Sequence, residues 1–469
     1  MALLFHTFSI PKHWYVFDAN RNSILPIRKE EYEALSEIEH KKETPENLEV
    51  LHKFQEKGFC CEAHIEMIKH PDTDTLFAHQ GRRLQQTILQ VTQRCNLRCS
   101  YCAYTGLYYN QQRTHGPRSM SLETAKRAID FALAHSDCSK SFNLAFYGGE
   151  PLLEFPLIKE CIEYIRFTAP DRDVRFNMTT NGTLLTPEIY IYLINNGFNL
   201  LISLDGPQPI HDMTRKFADG SGSYNIIMKN IGDIIAQYPE AKEKIRFNAV
   251  ADPEMDESCL QSLFHLDDVL DYYNMRLSPM SPLYTEKDLN YNEAFSVCYN
   301  QEICKHLLCL LNRLDEQYVS KLVFDDGEIY KSENDLLRNI ARIPSVTHPG
   351  GPCKPGVQRL FIDVDGNFFP CERVSEKSQP MNIGNLDSGF DFEKAKALLN
   401  VGQITEKQCK ECWTIFHCSM CAAFADDLDE LSKSKRLSNC LNVRRQYENK
   451  LKEHCFLKEN GYHFERVML

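Results

Sequence analysis

Six short apolar runs alternate with helix-like segments between residues 84 and 282, and this alternation constrains the fold more than any other feature of the sequence. The helix-like segments begin near Ser121, Pro156, Pro187, Ser223 and Glu257, and the runs between them are TILQVT, FNLAFYG, VRFNMTT, NLLISLD, IRFNAVA and MRLSPM. Strands joined by crossover helices form a parallel sheet with right-handed connections. We therefore predict an α/β fold, with a partial (β/α)6 barrel of the TIM type over residues 84–315 and its chemistry at the C-terminal strand ends.

Different patterns flank this region. Residues 1–80 show strand-like runs, LLFHTFSI and HWYVFDANRNSILPI, followed by the helical segments EEYEALSEIEHK and TPENLEVLHKFQEKG, which together indicate a winged-helix-like module. A Cys- and Leu-rich helix is expected over 293–314. Residues 316–352 are predicted to form a linker or bridging region, because THPGGP at 347–352 is typical of linkers, and 353–469 a cysteine-dense domain with a hairpin near Asp365-Gly366.

Composition narrows the class of protein. The 469 residues carry 53 basic and 65 acidic side chains, a net charge of −12, which argues against nucleic-acid binding through a broadly basic surface. No run of eighteen apolar residues is present, so we expect no membrane span, and MALLFHTFSI is a poor secretory signal. A cytoplasmic location is expected. There, 19 cysteines indicate metal binding or redox chemistry rather than disulfides.

Three cysteines follow the first predicted barrel strand directly. Cys95, Cys99 and Cys102 have the spacing CxxxCxxC, on a loop that is able to turn three thiolates toward one point. Three thiolates leave one iron of a 4Fe–4S cluster without a protein ligand, and such an iron is open to substrate. A zinc site or buried structural cysteines are the alternatives for this motif.

This loop resembles that of the radical SAM superfamily, in which the open iron binds the amino and carboxylate groups of S-adenosylmethionine. One electron then releases a 5′-deoxyadenosyl radical that abstracts a hydrogen atom. The run Tyr147-Gly148-Gly149-Glu150-Pro151 resembles the family's GGE motif, which implies that Gly148, Gly149 and Glu150 lie at the SAM amino group. An ordinary turn is the alternative for this short motif.

The end of the fourth predicted strand, Ser203-Leu204-Asp205-Gly206-Pro207, resembles the corresponding stretch of anaerobic sulfatase-maturating enzymes. That resemblance implies that Ser203 contacts the SAM ribose and Arg215 the SAM carboxylate. By the same resemblance Tyr101 packs beside the adenine. Thr180 and Asn181, which end the third strand, are further candidates for SAM contacts. A plain turn, a surface cation and a core aromatic are the alternatives.

We call the cysteine-dense domain, residues 353–469, the tail. The order of its cysteine spacings resembles that of the seven-cysteine SPASM domain, which carries auxiliary 4Fe–4S clusters in radical SAM enzymes that usually act on peptides or proteins. By this resemblance auxiliary cluster I is bound by Cys353, Cys371 and Cys421, and auxiliary cluster II by Cys409, Cys412, Cys418 and Cys440. Cluster I then lacks a fourth ligand within the pattern, and Cys309 and Cys455 are the other donors considered. We expect an open cluster I that is able to bind a substrate thiolate. A zinc ribbon is the alternative.

Two further assignments depend on resemblance. Glu372 occupies the position at which sulfatase-maturating relatives place a carboxylate proposed as general base, and a solvated hairpin residue is the alternative. The front module resembles the peptide-recognition element of radical SAM maturases, which implies that it captures a leader peptide by β-augmentation. An unrelated cap or a dimerisation domain is the alternative.

Together these features predict a peptide maturase with SAM and three 4Fe–4S clusters that installs thioether crosslinks from cysteine sulfur to carbon, as in sactipeptide and ranthipeptide maturases. The expected partners are a cysteine-containing precursor peptide with a leader and an external one-electron donor such as flavodoxin or ferredoxin, with no nucleic acid and no membrane. Oxidation of Cys or Ser to formylglycine and carbon–carbon crosslinking are the enzymatic alternatives. An iron–sulfur electron-transfer scaffold is the alternative from another class.

Overall fold

A computed structural model describes residues 2–104, 115–139, 141–264, 274–285, 289, 292–324 and 342–464 of the chain. Its strands are β1 (Ala2–Leu3), β2 (Phe5–Ile10), β3 (His13–Asp18), β4 (Ser23–Ile27), β5 (Glu62–Ala63), β6 (Met67–Ile68), β7 (Gln86–Thr92), β8 (Phe142–Gly148), β9 (Val174–Thr180), β10 (Phe198–Ser203), β11 (Arg246–Ala251), β12 (Asn274–Pro279), β13 (Val346–Thr347), β14 (Leu360–Ile362), β15 (Phe368–Phe369), β16 (Gly384–Asn385) and β17 (Gly389–Phe390).

The α-helices within the described ranges are Lys29–Glu39, Pro45–Glu56, Leu76–Arg82, Leu122–Ala134, Phe155–Thr168, Pro187–Asn195, Gln208–Thr214, Tyr224–Gln237, Ala241–Lys244, Glu257–Phe264, Glu293–Leu310, Lys321–Phe324, Phe392–Leu399, Glu406–Lys410, Lys433–Ser438 and Cys440–Glu459. Among them, none combines the length and the hydropathy that crossing a lipid bilayer requires.

The central sheet confirms the predicted barrel. Strands β7 to β12 are parallel and lie side by side in chain order. Successive residues of β8 point to opposite faces of the sheet. Leu144 and Phe146 are buried on the face that packs against the helices, while Asn143 is half buried on the other face. On that inner face Asn177 donates to Asn143 at 3.4 Å, and Asn199 donates to Asn177 at 3.2 Å. The inner face is therefore polar.

The sheet has eight strands rather than the predicted six, because a hairpin from the tail extends it. β14 pairs in parallel with β7, and β15 pairs antiparallel with β14. Gln90 of β7 reinforces this connection, accepting from the Val364 backbone N–H at 3.1 Å and donating to Glu376 at 2.5 Å. β7 would otherwise present an unpaired edge. The tail is thus joined to the barrel by a continuous sheet.

The front module consists of the antiparallel sheet β2–β3–β4 followed by the helices Lys29–Glu39 and Pro45–Glu56. Its core extends into the tail. The Trp413 ring stacks on His6 with the ring centres 4.0 Å apart, and the Tyr447 ring packs edge-on against Phe17. Leu4 and Phe8 share one apolar cluster with residues of the helix Cys440–Glu459. The module is therefore packed onto the cysteine-dense domain.

The end of the predicted linker or bridging region, residues 346–352, packs against neighbouring segments. β13 pairs in parallel with β6, and Thr347 and His348 are buried. An added Cβ at Gly350 would lie 2.5 Å from the Phe416 carbonyl oxygen, so the backbone there packs directly against the tail. The glycines that suggested a linker instead permit this close approach. The predicted helix over 293–314 is present, and ends at Leu310.

Candidate functional site

The cysteine loop and the Gly-Gly-Glu turn lie together at the C-terminal end of the sheet. β7 ends at Thr92, whose carbonyl oxygen accepts a hydrogen bond from the Gly149 N–H at 2.9 Å, while Arg94 accepts from the Glu150 N–H at 2.9 Å. An added Cβ would lie 2.1 Å from Thr92 O at Gly148 and 2.0 Å from Arg94 O at Gly149. Both glycines are therefore required by the approach of the cysteine loop. Their contact with SAM remains a prediction.

The three loop cysteines lie close enough to affect each other's ionisation. Burial raises the pKa of Cys95 to about 12 and that of Cys99 to about 11, and the neighbouring thiols contribute to both increases. The Asn181 amide nitrogen lies 3.9 Å from Cys95 Sγ, and Arg215 Nη1 lies 4.0 Å from Cys99 Sγ. Iron binding requires thiolates and would release these protons. Three soft donors beside amide and guanidinium groups fit an iron–sulfur cluster.

A buried carboxylate organises the second side of this site. Asp205 Oδ2 accepts hydrogen bonds from the Tyr101 hydroxyl, from Arg215 Nε at 2.9 Å and from Thr214 at 3.2 Å, while Oδ1 accepts from the Val250 N–H at 3.0 Å. Asp205 is 1% exposed and Arg215 is 7% exposed. The Arg215 guanidinium also lies 5.3 Å from the Tyr101 ring centre. Tyr101 and Arg215, both predicted, are thus brought together by Asp205.

Sequence reasoning treated Asp205 only as part of a turn. The signal that marks it is a carboxylate two residues after a buried strand, ten residues before an arginine that directly follows the next helix. Arg215 uses its Nε for this anchor and turns a terminal nitrogen toward Cys99, which leaves its predicted contact with the SAM carboxylate untested.

Glu150 and Thr180 bind each other rather than facing an open space. The buried Glu150 side chain accepts from Thr180 Oγ1 at 2.6 Å, from the Asn181 N–H at 2.7 Å and from the Leu152 N–H at 3.0 Å. Burial raises the pKa of Glu150 despite these bonds. Asn181 donates to Asn96 of the cysteine loop at 2.9 Å. These residues fasten the ends of β8 and β9 to each other and to the loop.

Ser203 ends β10, and its lateral neighbours on β11 and β12 are Asn248 and Arg276. The side chains of Ser278 and Asn248 are joined by a hydrogen bond of 2.7 Å. A polar row therefore crosses the sheet at the level of Ser203.

The four cysteines assigned to auxiliary cluster II, Cys409, Cys412, Cys418 and Cys440, line one cavity. Burial raises the pKa of Cys418 to about 11, and it raises the pKa values of Cys409 and Cys440 as well. Arg436 and Thr405 also line this cavity. Zn–S bonds of about 2.3 Å would draw four thiolates to one point, whereas a cluster occupies the space between them. Four thiol donors around one cavity are a donor set that fits a 4Fe–4S cluster.

The cysteines assigned to cluster I are also neighbours. Burial raises the pKa of Cys371 to about 12, with Cys421 among the contributors, and Cys421 is in turn affected by Cys353. Cys455 instead packs in the apolar cluster of the front module, and Cys309 lies beside Asp315 and Glu316. Neither donor considered for the fourth position joins the set. All 19 cysteines are free thiols.

Glu372 follows Cys371 and pairs with Arg359, whose Nη1 lies 3.0 and 3.4 Å from the two carboxylate oxygens. Arg373 Nε lies 3.9 Å from the same side chain. Two cations thus surround the carboxylate, and its role as a base remains a prediction.

Comparison with known proteins agrees with this geometry. Residues 89–261 match the family model described as the radical SAM superfamily. A cysteine-type anaerobic sulfatase-maturating enzyme from Clostridium novyi is 28% identical over 301 residues, 62% of this chain and 74% of that protein. The radical SAM cyclopropyl synthase TigE from Paramaledivibacter caminithermalis is 24% identical over 388 residues, 79% of this chain and 75% of that protein.

Solved structures share the fold. The structure described as native anSMEcpe with bound AdoMet has a TM-score of 0.58 at 18% identity, covering 80% of this chain and 99% of that one. The same protein with AdoMet and the Cp18Cys peptide has a TM-score of 0.56 at 20% identity, with the same coverage.

Proposed function

We propose that the chain is a radical SAM enzyme that matures a ribosomally made peptide by installing thioether crosslinks, because residues 89–261 match the radical SAM family model and two relatives are radical SAM or sulfatase-maturating enzymes. The proposal combines three sites: a SAM-binding cluster on Cys95, Cys99 and Cys102, two auxiliary clusters in the tail, and a front module for the leader. The SAM-bound cluster supplies a radical that removes a hydrogen atom from the substrate. The residues of the chain hold SAM and the substrate in position and shield the site from water.

The roles in the barrel follow from the contacts. Asp205 fixes Tyr101 and Arg215 beside Cys99, so an aromatic face and a cation are preorganised where SAM is proposed to bind. Gly149 and Glu150 hold the cysteine loop against the ends of β8 and β9. The polar inner face of the sheet suits the backbone of a peptide. In the proposed role, Glu372 accepts the proton that the substrate loses on oxidation.

The observation that carries the thioether proposal is the three-cysteine set of cluster I. Cys353, Cys371 and Cys421 are neighbours, while Cys309 and Cys455 lie elsewhere. Cys353, Cys371 and Cys421 would hold a cluster with one position open, and such a cluster would supply a Lewis acid that lowers the pKa of a bound substrate thiol. In the balanced reaction one C–H and one S–H bond are lost and one C–S bond forms. One hydrogen atom leaves with deoxyadenosine, the thiol proton goes to a base, and one electron passes to the auxiliary clusters.

The front module is proposed to hold the leader through its outer strand. β2 and β4 are the terminal strands of the sheet, and the helix Cys440–Glu459 packs near β2. β4 is thus the strand on which an extended peptide would add by backbone pairing. Pro26 removes one donor from that edge, so pairing would rely on the other residues of β4. We place the reaction in the cytoplasm, with flavodoxin or ferredoxin as electron donor.

A second candidate is oxidation of Cys or Ser to formylglycine, and the similarity to the Clostridium novyi sulfatase-maturating enzyme favours it. One experiment separates these functions. Reconstituted enzyme is incubated anaerobically with SAM, a reductant and a cysteine-rich precursor peptide encoded near the gene, and the product is measured by mass and by thiol alkylation. The thioether predicts loss of two hydrogens and of one alkylatable thiol for each crosslink.

The alternative outcomes are equally distinct. Loss of two hydrogens with every thiol still alkylatable indicates a carbon–carbon bond or a ring, the class that the name of TigE describes. An aldehyde formed on a sulfatase-derived peptide that has no leader contradicts the thioether proposal and supports formylglycine formation. Protein that holds clusters but does not convert SAM to 5′-deoxyadenosine supports the electron-transfer scaffold.

A further inference from the structure

Arg436 is a buried cation at the boundary between the two auxiliary cluster sites. It lies in the helix Lys433–Ser438, its side chain is among the largest that are fully buried, and the residue is 1% exposed. It lines the cavity formed by the four cysteines of cluster II. Its Nη1 also donates to the carbonyl oxygen of Cys421, which belongs to cluster I, at 3.5 Å. The guanidinium therefore borders both cysteine sets.

The partners of this guanidinium are all neutral. Nε donates to Thr405 Oγ1 at 3.3 Å, and that hydroxyl also lies 3.2 Å from Cys409 Sγ. Nη2 is buried without a hydrogen-bond partner. In the described ranges, no carboxylate oxygen lies within ion-pair distance of Arg436. A buried, unpaired charge is strongly unfavourable, so a negative group is needed to compensate it.

The cysteines are the groups that would provide this negative charge. Cys409, Cys412, Cys418 and Cys440 line the same cavity as Arg436, and the Cys421 carbonyl oxygen accepts a hydrogen bond from its Nη1. Once iron binds, these thiols become thiolates, and a four-cysteine cluster carries a net negative charge that grows by one on reduction. Arg436 is then paired, and its attraction is stronger for the reduced state.

We infer that Arg436 is the internal counter-cation of the auxiliary clusters, so that it raises their reduction potential and makes their retention depend on its charge. The inference rests on the proposed function, because it requires the auxiliary clusters to be present. It adds a residue that acts through the clusters and does not touch the substrate. Its role is therefore one of tuning and positioning.

The chain offers a matched control on the same cavity. Arg444 also lines the cavity, but it is exposed to solvent. Water and salt screen an exposed charge far more than a buried one. Replacing Arg444 therefore removes one positive charge from the same cavity, as replacing Arg436 does, but it should change the electrostatic potential at the cysteines much less.

The test uses full-length protein in which Cys95, Cys99 and Cys102 are replaced by alanine, so that only auxiliary clusters contribute. In this background R436M, R436K and R444M are compared for iron and sulfide content, for midpoint potential by titration followed by electron paramagnetic resonance, and for thermal unfolding with and without iron. We expect R436M to lower the midpoint potential of an auxiliary cluster, and R436K and R444M to stay near the parent. Without iron, R436M should unfold no earlier than the parent, because it removes an uncompensated charge.

An unchanged potential in iron-replete R436M, or an equal decrease in R444M, would overturn the inference. If R436M does not retain iron, the iron content of R436K decides. Iron retained by R436K supports a role for the positive charge, whereas iron lost from R436K shows that only the guanidinium hydrogen bonds matter and overturns the inference. A parent protein without auxiliary iron would instead contradict the cofactor content of the proposed function, before Arg436 is compared.

Discussion

Replacement of Asp205 by asparagine tests the central contact of the proposed SAM site. Asparagine keeps the shape of the side chain but removes its charge and substitutes an amide NH2 for one acceptor oxygen. Asp205 Oδ2 accepts from Tyr101, Arg215 and Thr214, and Oδ1 accepts from the Val250 N–H. Either orientation of the amide places a donor against at least one other donor. The buried Arg215 also loses its only carboxylate partner within the described residues.

The expected cost follows from burial. Removing one partner of a buried ion pair costs about 3–5 kcal/mol, because the remaining charge stays desolvated. With Asp205 1% exposed and Arg215 7% exposed, D205N should lower the free energy of unfolding by that amount. The pair D205N/R215M removes both charges, and its effect should be smaller than the sum of the single effects by at least about 1 kcal/mol.

The measurement is equilibrium urea unfolding followed by circular dichroism under anaerobic conditions, with all variants at the same iron content. D219N is the matched control, since Asp219 is exposed and bonds locally to Ser221, and we expect a change within about 0.5 kcal/mol. A D205N protein as stable as D219N, or single effects that add without coupling, would show that Asp205 does not compensate the buried Arg215.

Three further predictions concern the barrel and the tail. G149A should reduce SAM cleavage by about a hundredfold, since an added Cβ meets Arg94 O at 2.0 Å and displaces the cysteine loop. G232A is the control: Gly232 lies at an open position of the helix Tyr224–Gln237, so alanine there should raise the free energy of unfolding by about 1 kcal/mol and keep activity. Equal activity in the two variants contradicts the packing argument. Burial lowers the pKa of His211 to about 4, below its unfolded value, so the folded chain binds fewer protons than the unfolded chain between pH 4 and pH 6.5. As the pH falls through this range, the free energy of unfolding of the parent should decrease more steeply than that of H211Q, by up to about 1.4 kcal/mol for each pH unit. Parallel urea-unfolding profiles of the two proteins would refute this. C99A should abolish formation of 5′-deoxyadenosine while C421A spares it more than peptide modification, and equal losses in folded protein contradict the proposed division between the clusters.

The sequence predicted the elements of the barrel well, because the signals for them are local. The helix after β7 begins at Leu122 with Ser121 as its N-cap, and the helix after β9 begins at Pro187, as their capping and proline signals indicate. The resemblance of the tail to the SPASM domain grouped the same four thiols that line one cavity in the structure. Spacing was informative there because three of these cysteines lie within ten residues, so the local backbone already limits their separation.

The features that the sequence did not predict depend on contacts between distant segments. The pairing of β14 with β7 joins residues more than 270 positions apart, and no local pattern in either strand specifies it. The glycines at 350 and 351 have the composition of a linker, yet they allow close packing against the tail. Asp205 has the sequence context of a turn, and only the folded chain brings Tyr101, Arg215 and Val250 to its oxygens.

The stacking of Trp413 on His6 has a consequence for engineering. Trp413 lies between Cys412 and Cys418, so the surface that receives the front module belongs to the segment proposed to hold auxiliary cluster II. Grafting a foreign recognition module in place of residues 1–80 would therefore remove the His6 ring that packs against Trp413 and expose one side of that segment. Chimeras that transfer the tail segment 409–418 together with residues 1–80 should assemble iron more completely than chimeras that exchange the front residues alone.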